Sequence, residues 1–267
     1  MPVAVGLEVT DDLELHLALR HKIFCESELL RCPGPARYGA TGDDPHLDEF
    51  DRHALTLCVL HEGAPVATGR LVVGPRLPSA SFLRESPGFP RDLDLTRGAE
   101  PSKFGLLAEH QGTSLGSRAI HRLIGAVVHE AGLRNLSPAI LCLRPAMFGL
   151  LRWVPWQMYA PFHLPRSIAH RMSEEPLFPV TLLSHELVTA AMAKPMIAEL
   201  VFPEGTPEWF DPSRSRSPRE VDQVALGNVR QFRAHMTDWR EAAAGHPVRR
   251  ESTGAPFLLR AALGALG

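Results

Sequence analysis

Apolar and polar positions along the chain repeat with two periods, one fitting strands and one fitting helices. Residues 3–9 read as a first strand. Leu13, Leu17, Arg20 and Phe24 then recur at helical spacing behind Thr10-Asp11-Asp12, a run suited to capping a helix. Residues 31–46 hold Pro33, Gly34, Pro35, Gly39, Gly42 and Pro45, which predicts a long loop of the kind that often covers a site. Two β-prone runs, 54–61 and 65–73, meet at Glu62-Gly63 and predict an antiparallel hairpin. After a Pro-rich stretch over 75–90, residues 102–108 read as a fourth strand. Thr113 or Ser114 then caps a helix carrying Leu115, Ala119, Leu123 and Val127. The nearly continuous apolar run 138–143 suits a strand covered on both faces, with a helix through Met147, Leu150 and Leu151 behind it. A β region over 156–162, a strand over 180–187 and a helix over 186–200 complete the pattern.

This alternation predicts an α/β domain with a mixed sheet over residues 1–202. Pro203, Pro207, Pro212 and the run Ser213-Arg214-Ser215-Arg216-Ser217-Pro218 mark a linker over 203–218. Residues 219–267 then form a helical extension, with Val221, Val224, Asn228, Phe232, Met236 and Trp239 along one face. Such a face needs burial against the domain or a second chain, which leaves a homodimer through the C-terminal helices open.

Composition narrows the class. At 267 residues and 45% hydrophobic content there is ample core for one large domain. A formal net charge of -2 supplies no global field towards nucleic acid or anionic lipid. The start Met1-Pro2-Val3-Ala4-Val5 lacks the pattern of a signal peptide, and the apolar stretch 255–266 is short and broken by Arg260, so a cytoplasmic protein without a transmembrane segment is expected. Cys25, Cys32, Cys58 and Cys142 match neither zinc pairs nor a dense disulfide framework, and Cys58 and Cys142 read as buried thiols. His46, His53, His110 and His121 show no ligand spacing, so no metal is expected.

Charges at the edges of apolar elements change the picture more. Arg20 shares a helical face with Phe24, Asp48 and Asp51 precede a strand, Arg70 sits within an apolar hairpin, and Glu100 and Lys103 flank the start of the fourth strand. Half-buried charges are costly unless paired, so one converging cluster is expected, a candidate active site. A set of solvated surface acids is the plain alternative.

In order along the chain, Arg20-x-x-x-Phe24, Asp48-x-Phe50-Asp51, Gly69-Arg70-Leu71 and Glu100-x-Ser102-Lys103-Phe104 resemble the signature of acyl-homoserine-lactone synthases. The run Arg20-His21-Lys22-Ile23-Phe24-Cys25-Glu26, followed by Asp51-Arg52-His53-Ala54, is more similar to N-acyl amino acid synthases of the exosortase-associated type. Both belong to the GNAT superfamily. The resemblance covers roughly residues 1–200 and implies a three-layer αβα fold whose central sheet splays at the acyl-donor site.

It also implies roles. Glu100, with Ser102 and Lys103, would form the catalytic strand, Glu100 taking the proton. Arg20, Asp48, Asp51 and Arg70 would form the electrostatic cluster. Gln111-Gly112-Thr113-Ser114-Leu115-Gly116 resembles the superfamily's phosphate loop with Ser114 in place of its first glycine, and Gln111, Gly112, Thr113, Ser114 and Gly116 would hold the donor phosphate at a helix N-terminus. Phe24, Phe104, Leu141, Leu143, Met147, Phe148, Leu151 and Trp153, with Trp156 and Met158, would line an acyl tunnel or simply be core. The donor would be an acyl carrier protein or coenzyme A thioester, with no tightly bound cofactor. Lys103 stands where the families have arginine, Leu30 where lactone synthases have a tryptophan, and His46 in the place of a glutamate. These departures favour an amino acid or similar small amine as acceptor. A lactone synthase using S-adenosylmethionine and a non-catalytic acyl-ligand or carrier-binding module are the alternatives.

Overall fold

The computed structural model describes residues 6–27, 48–83, 88–163 and 174–245. The loop expected over 31–46, Leu30, His46, Cys32, the start of the first strand and the apolar stretch 255–266 lie outside them.

The described residues form a seven-stranded mixed sheet in the order β1-β2-β3-β4-β5-β7-β6. Its strands are β1 (Leu7–Thr10), β2 (Ala54–His61), β3 (Ala64–Val73), β4 (Ala99–Leu106), β5 (Ala139–Leu143), β6 (Gln157–Met158) and β7 (Phe178–Leu182). The helices are α1 (Leu13–Arg20), α2 (Ala80–Leu83), α3 (Ser114–Leu133), α4 (Pro145–Leu150), α5 (Ser184–Met192), α6 (Pro195–Val201) and α7 (Pro218–Gly245). This is an α/β fold, with α1 against one face of the hairpin and α3 against the other.

The hairpin turns at Glu62 and Gly63, both at positive φ (53° and 78°), the backbone that a tight two-residue turn demands. Leu57, Val59 and Ala67 pack against Ala119, Leu123 and Val127 of α3, while Thr56, Thr68 and Arg70 occupy the opposite face, towards α1. Two chain features open the sheet beside this hairpin. First, β4 and β5 run parallel but pair only at Ala99↔Ala139, and Pro101, which follows at once, has no N–H to offer a neighbouring strand. Second, the β3–β4 register shifts from Thr68↔Gly105 to Arg70↔Ser102, so β4 carries an extra residue, and Lys103 takes φ 55°.

The last strand and helix expected from sequence differ from what the chain forms. The apolar run beyond residue 182 enters α5 at Ser184 rather than extending the strand. The helix expected over 186–200 is two helices, because Pro195 forces Lys194 out of helical backbone (φ -130°, ψ 95°). The face of α7 is buried within the chain: Val221, Phe232 and Met236 belong to the same core as Phe148, Trp156 and Phe178, and the Phe148 and Phe232 rings stack at 4.2 Å. Among the described residues, the apolar face that a homodimer would have used is therefore already covered by the chain itself. Ser217 and Glu220 cap α7 reciprocally, and Arg216 forks onto the buried Glu186 of α5 at 2.5 and 2.7 Å.

Candidate active site

Three segments distant in sequence bring their charges to one place on the α1 face of the sheet. Arg70, only 1% exposed, reaches from β3 to Asp48 at 2.6 Å and also bonds Asp51. Arg20, at the end of α1, bonds Asp51 at 2.8 Å and lies 3.8 Å from Asp48. The turn that presents the two acids is self-bonded: the Asp48 N–H donates to the Asp51 carboxylate at 2.8 Å and the Phe50 N–H to Asp48 at 3.0 Å. Burial opposes the charge on Asp51, but Arg70 and Arg20 outweigh it and hold the carboxyl below the ordinary aspartate value. The chain continues from Arg20 into a π-helical turn, His21–Glu26, a wound-out geometry frequent at functional sites, and this turn seats Phe24.

The bulge in β4 explains how Ser102 and Lys103 share the cluster. In a regular strand, neighbouring residues face opposite sides. Here the extra residue turns both to the α1 face: Ser102 Oγ accepts from Arg70 Nε at 3.0 Å, and the half-buried Lys103 ammonium lies in the field of Arg20, Arg70, Asp48 and Asp51. Phe104 is thereby placed on the α3 side, where a Cβ at Gly69 would meet its ring at 2.9 Å. Burial first, then Arg20 and Arg70, lower the Lys103 pKa to about 8. Among the described residues no carboxylate lies within ion-pair distance of its ammonium.

Glu100 occupies the same face two residues earlier, beside the split between β4 and β5, and is 5% exposed. Its carboxylate accepts from Ser79 N–H at 2.8 Å and Ser79 Oγ at 2.7 Å. Burial pushes its pKa up to about 7, although the Ser79 bonds, Arg70 and Lys103 pull the other way. That value suits a group that must both take and release a proton near neutrality. The plain alternative for Glu100, an exposed turn acid, is excluded by its burial.

Two more residues join the site without any motif to mark them. His16, one helical turn before Arg20, is fully buried and its Nδ1 lies 2.7 Å from Thr68 Oγ1. Thr68 Oγ1 also lies 3.1 Å from Leu57 O, and His16 Nε2 has no hydrogen-bond partner among the described residues. Burial, Arg20 and Arg70 keep this ring neutral, with a pKa lowered to about 4. Its spacing four residues from Arg20 was the available sequence signal. Ser79 sits in a Pro-rich stretch that gave none.

The loop between β4 and α3 lies where the split opens, since α3 leads from the end of β4 back to parallel β5. Gln111 bonds Leu106 O at 3.3 Å, Gly112 takes φ 75°, and Thr113 caps α3 by accepting from Gly116 N–H at 3.0 Å. The Gly116 N–H is thus already used within the loop, while Gln111, Gly112, Thr113 and Ser114 are exposed. A Cβ at Gly116 would stand 2.0 Å from His110 O. Gly116→Ala is expected to cost about 1–3 kcal/mol by overpacking against backbone, measured by urea denaturation; an unchanged midpoint would contradict this geometry.

The expected acyl-lining residues do not form one cluster. Phe24 packs with Leu19, Ile23, Cys58 and Leu107 beneath α1. Leu143, Phe148, Leu151, Trp153, Trp156 and Met158 lie in the core that α7 completes, and Trp153 Nε1 is directed at His121 Nε2 at 3.3 Å. Phe104, Leu141 and Met147 sit part-buried at the margin of that core, near the split. Cys58 and Cys142 are free thiols, and burial raises the pKa of both, Cys58 to about 11.

No protein-family model and no curated protein matches the chain. Among solved structures it is similar to the acyl-homoserine-lactone synthase LasI (14% identity, 75% of this chain and 95% of that one, TM-score 0.49). It is also similar to BjaI, a CoA-dependent acyl-homoserine lactone synthase (17%, 81% and 91%, 0.46), and to FeeM, an N-acyl amino acid synthase from uncultured soil microbes (12%, 71% and 98%, 0.46). At these identities neither substrate nor activity carries over.

Proposed function

We propose that the protein is an N-acyltransferase that moves a medium or long acyl group from a carrier-protein or coenzyme A thioester to the amine of an amino acid. One observation carries this reading: Glu100, Ser102 and Lys103 stand on one face of a bulged strand, at a split between parallel strands that opens towards the N-terminus of a 20-residue helix. A pantetheine thioester laid in that split would place its carbonyl against β4 backbone N–H groups, which would take the developing oxyanion. Its phosphate would meet the exposed part of the loop 111–115 at the positive end of α3. The acceptor's ammonium gives one proton to Glu100, directly or through water, the amine so formed attacks the carbonyl carbon, and the leaving thiolate takes up the second proton that the nitrogen sheds. The ion-paired cluster fixes α1 and the turn at residues 48–51 over this mouth.

Incubating the purified protein with acyl carrier protein and coenzyme A thioesters, each with the standard amino acids or with S-adenosylmethionine, tests this by product mass. An N-acyl amino acid is the expected product. An acyl lactone would identify the alternative acceptor, and thioester left intact under every pairing would make the protein a binding module.

A further inference from the structure

Of the three cations at the cluster, one makes no ion pair among the described residues. Arg20 and Arg70 spend their charge on Asp48 and Asp51, whereas Lys103, held in the same field by a left-handed backbone that lysine rarely adopts, has no carboxylate of its own among the described residues. A half-buried ammonium beside two guanidinium groups is paid for only if an anion joins it, and a positive-φ residue in a strand is retained where the position of its side chain matters. On the same face, Glu100 presents the opposite charge two positions before the bulged pair, at the split. A molecule lying along β4 between these groups meets a carboxylate at one end and an ammonium at the other.

We propose that the Lys103 ammonium is the anion anchor of the acceptor subsite, so that the acceptor is an α-amino acid held by its carboxylate with its amine turned towards Glu100. This rests on the acyl-transfer reading. The zwitterion fits the field in one orientation only, since the reverse would set its ammonium against Lys103 and its carboxylate against Glu100. An amine without a carboxylate would leave Lys103 unpaired in the bound state, so the preference is a penalty on the wrong acceptor as much as an attraction for the right one. Arg70 is already engaged through Nε by Ser102 and through Nη1 by Asp48 and Asp51, and Arg20 through Nη1 by Asp51, whereas Lys103 makes no ion pair among the described residues.

The chain has only three lysines, Lys22, Lys103 and Lys194, which gives a direct readout. With a non-hydrolysable acyl-CoA thioether present, the full-length protein is treated with an amine-acylating reagent and each lysine is followed by peptide mass. The standard L-amino acids are expected to slow modification of Lys103 while their carboxamides do not, with Lys22 and Lys194 as internal references. In turnover, the best amino acid is expected to exceed its carboxamide by on the order of 100-fold in kcat/KM. Lys103→Met should erase that ratio through the acceptor KM, with the Kd of the acyl-CoA thioether unchanged, and Lys103→Arg should restore part of it. Equal modification of Lys103 with acid and amide, or a Lys103→Met protein that still prefers the acid, overturns the anchor. Protection of Lys103 without any acylated amine would instead overturn acyl transfer and leave the anchor standing.

Discussion

Glu100→Gln is expected to lower kcat by about 10²- to 10⁴-fold, the usual contribution of a positioned general base, with donor binding intact. Gln keeps the oxygen that accepts from the Ser79 N–H and Oγ but takes no proton. The pH profile separates this from a packing defect. Wild-type kcat/KM should rise as Glu100 ionises through about pH 7, then fall as the Lys103 ammonium is lost above about pH 8. The variant should lose the rising limb and keep the falling one. Stability should move the other way. A carboxyl whose folded pKa lies above its unfolded value binds more protons in the folded state, so its contribution falls as pH climbs from about 4.5 to about 7. Above pH 7 the neutral amide should therefore equal or exceed wild type in thermal midpoint. A variant that is both less stable at pH 8 and inactive would point to a structural glutamate.

Arg70→Met is expected to destabilise the fold by about 3–5 kcal/mol, because it strands buried carboxylates rather than because the ion pairs are worth that much. Asp51 is 3% exposed and would keep Arg20 alone among the two guanidinium groups that now bond it, while Asp48 would retain only the 3.8 Å contact. The acid side gives a signature. In the wild type the folded Asp51 carboxyl lies below its ordinary value of 3.8, so the stability it contributes is complete above that pH and is lost as pH falls further. In the variant the stranded Asp51 gains from protonation, so the gap between the two proteins in urea denaturation should narrow as pH is lowered towards 4. Adding Asp51→Asn to Arg70→Met should recover part of the loss at neutral pH. A gap constant with pH would mean that methionine is merely a poor fit.

What the sequence revealed and what it concealed divide on physical lines. Local chemistry was legible: Glu62-Gly63 turned the hairpin, Thr113 capped α3, and the charges within apolar runs at Arg20, Arg70 and Asp51 converged as their cost demanded. The split beside Glu100 was reached through family resemblance, and only Pro101 hinted at its cause. The bulge at Lys103 left no trace in the alternation of residues 100–106, since one inserted residue flips the face of everything after it. The partner of Glu100, Ser79, was hidden in a segment whose prolines advertise only irregular backbone. Periodicity also found the buried face of α7 without revealing that Phe148 would be its partner, because a period fixes what is buried and not against what. The same holds at 143–153, where hydrophobicity marked core without showing that α7 packs against it.

Acyl transfer of this kind requires that the split between β4 and β5 receive the donor. A crystal structure with a non-hydrolysable acyl-CoA thioether tests it most directly. The pantetheine arm is expected to run between the two strands beyond Ala99 and Ala139, with its reactive carbon beside Ser102 and within reach of Glu100 and its pyrophosphate at residues 111–115. Density for the ligand on any other face of the sheet, with the split closed, would contradict it.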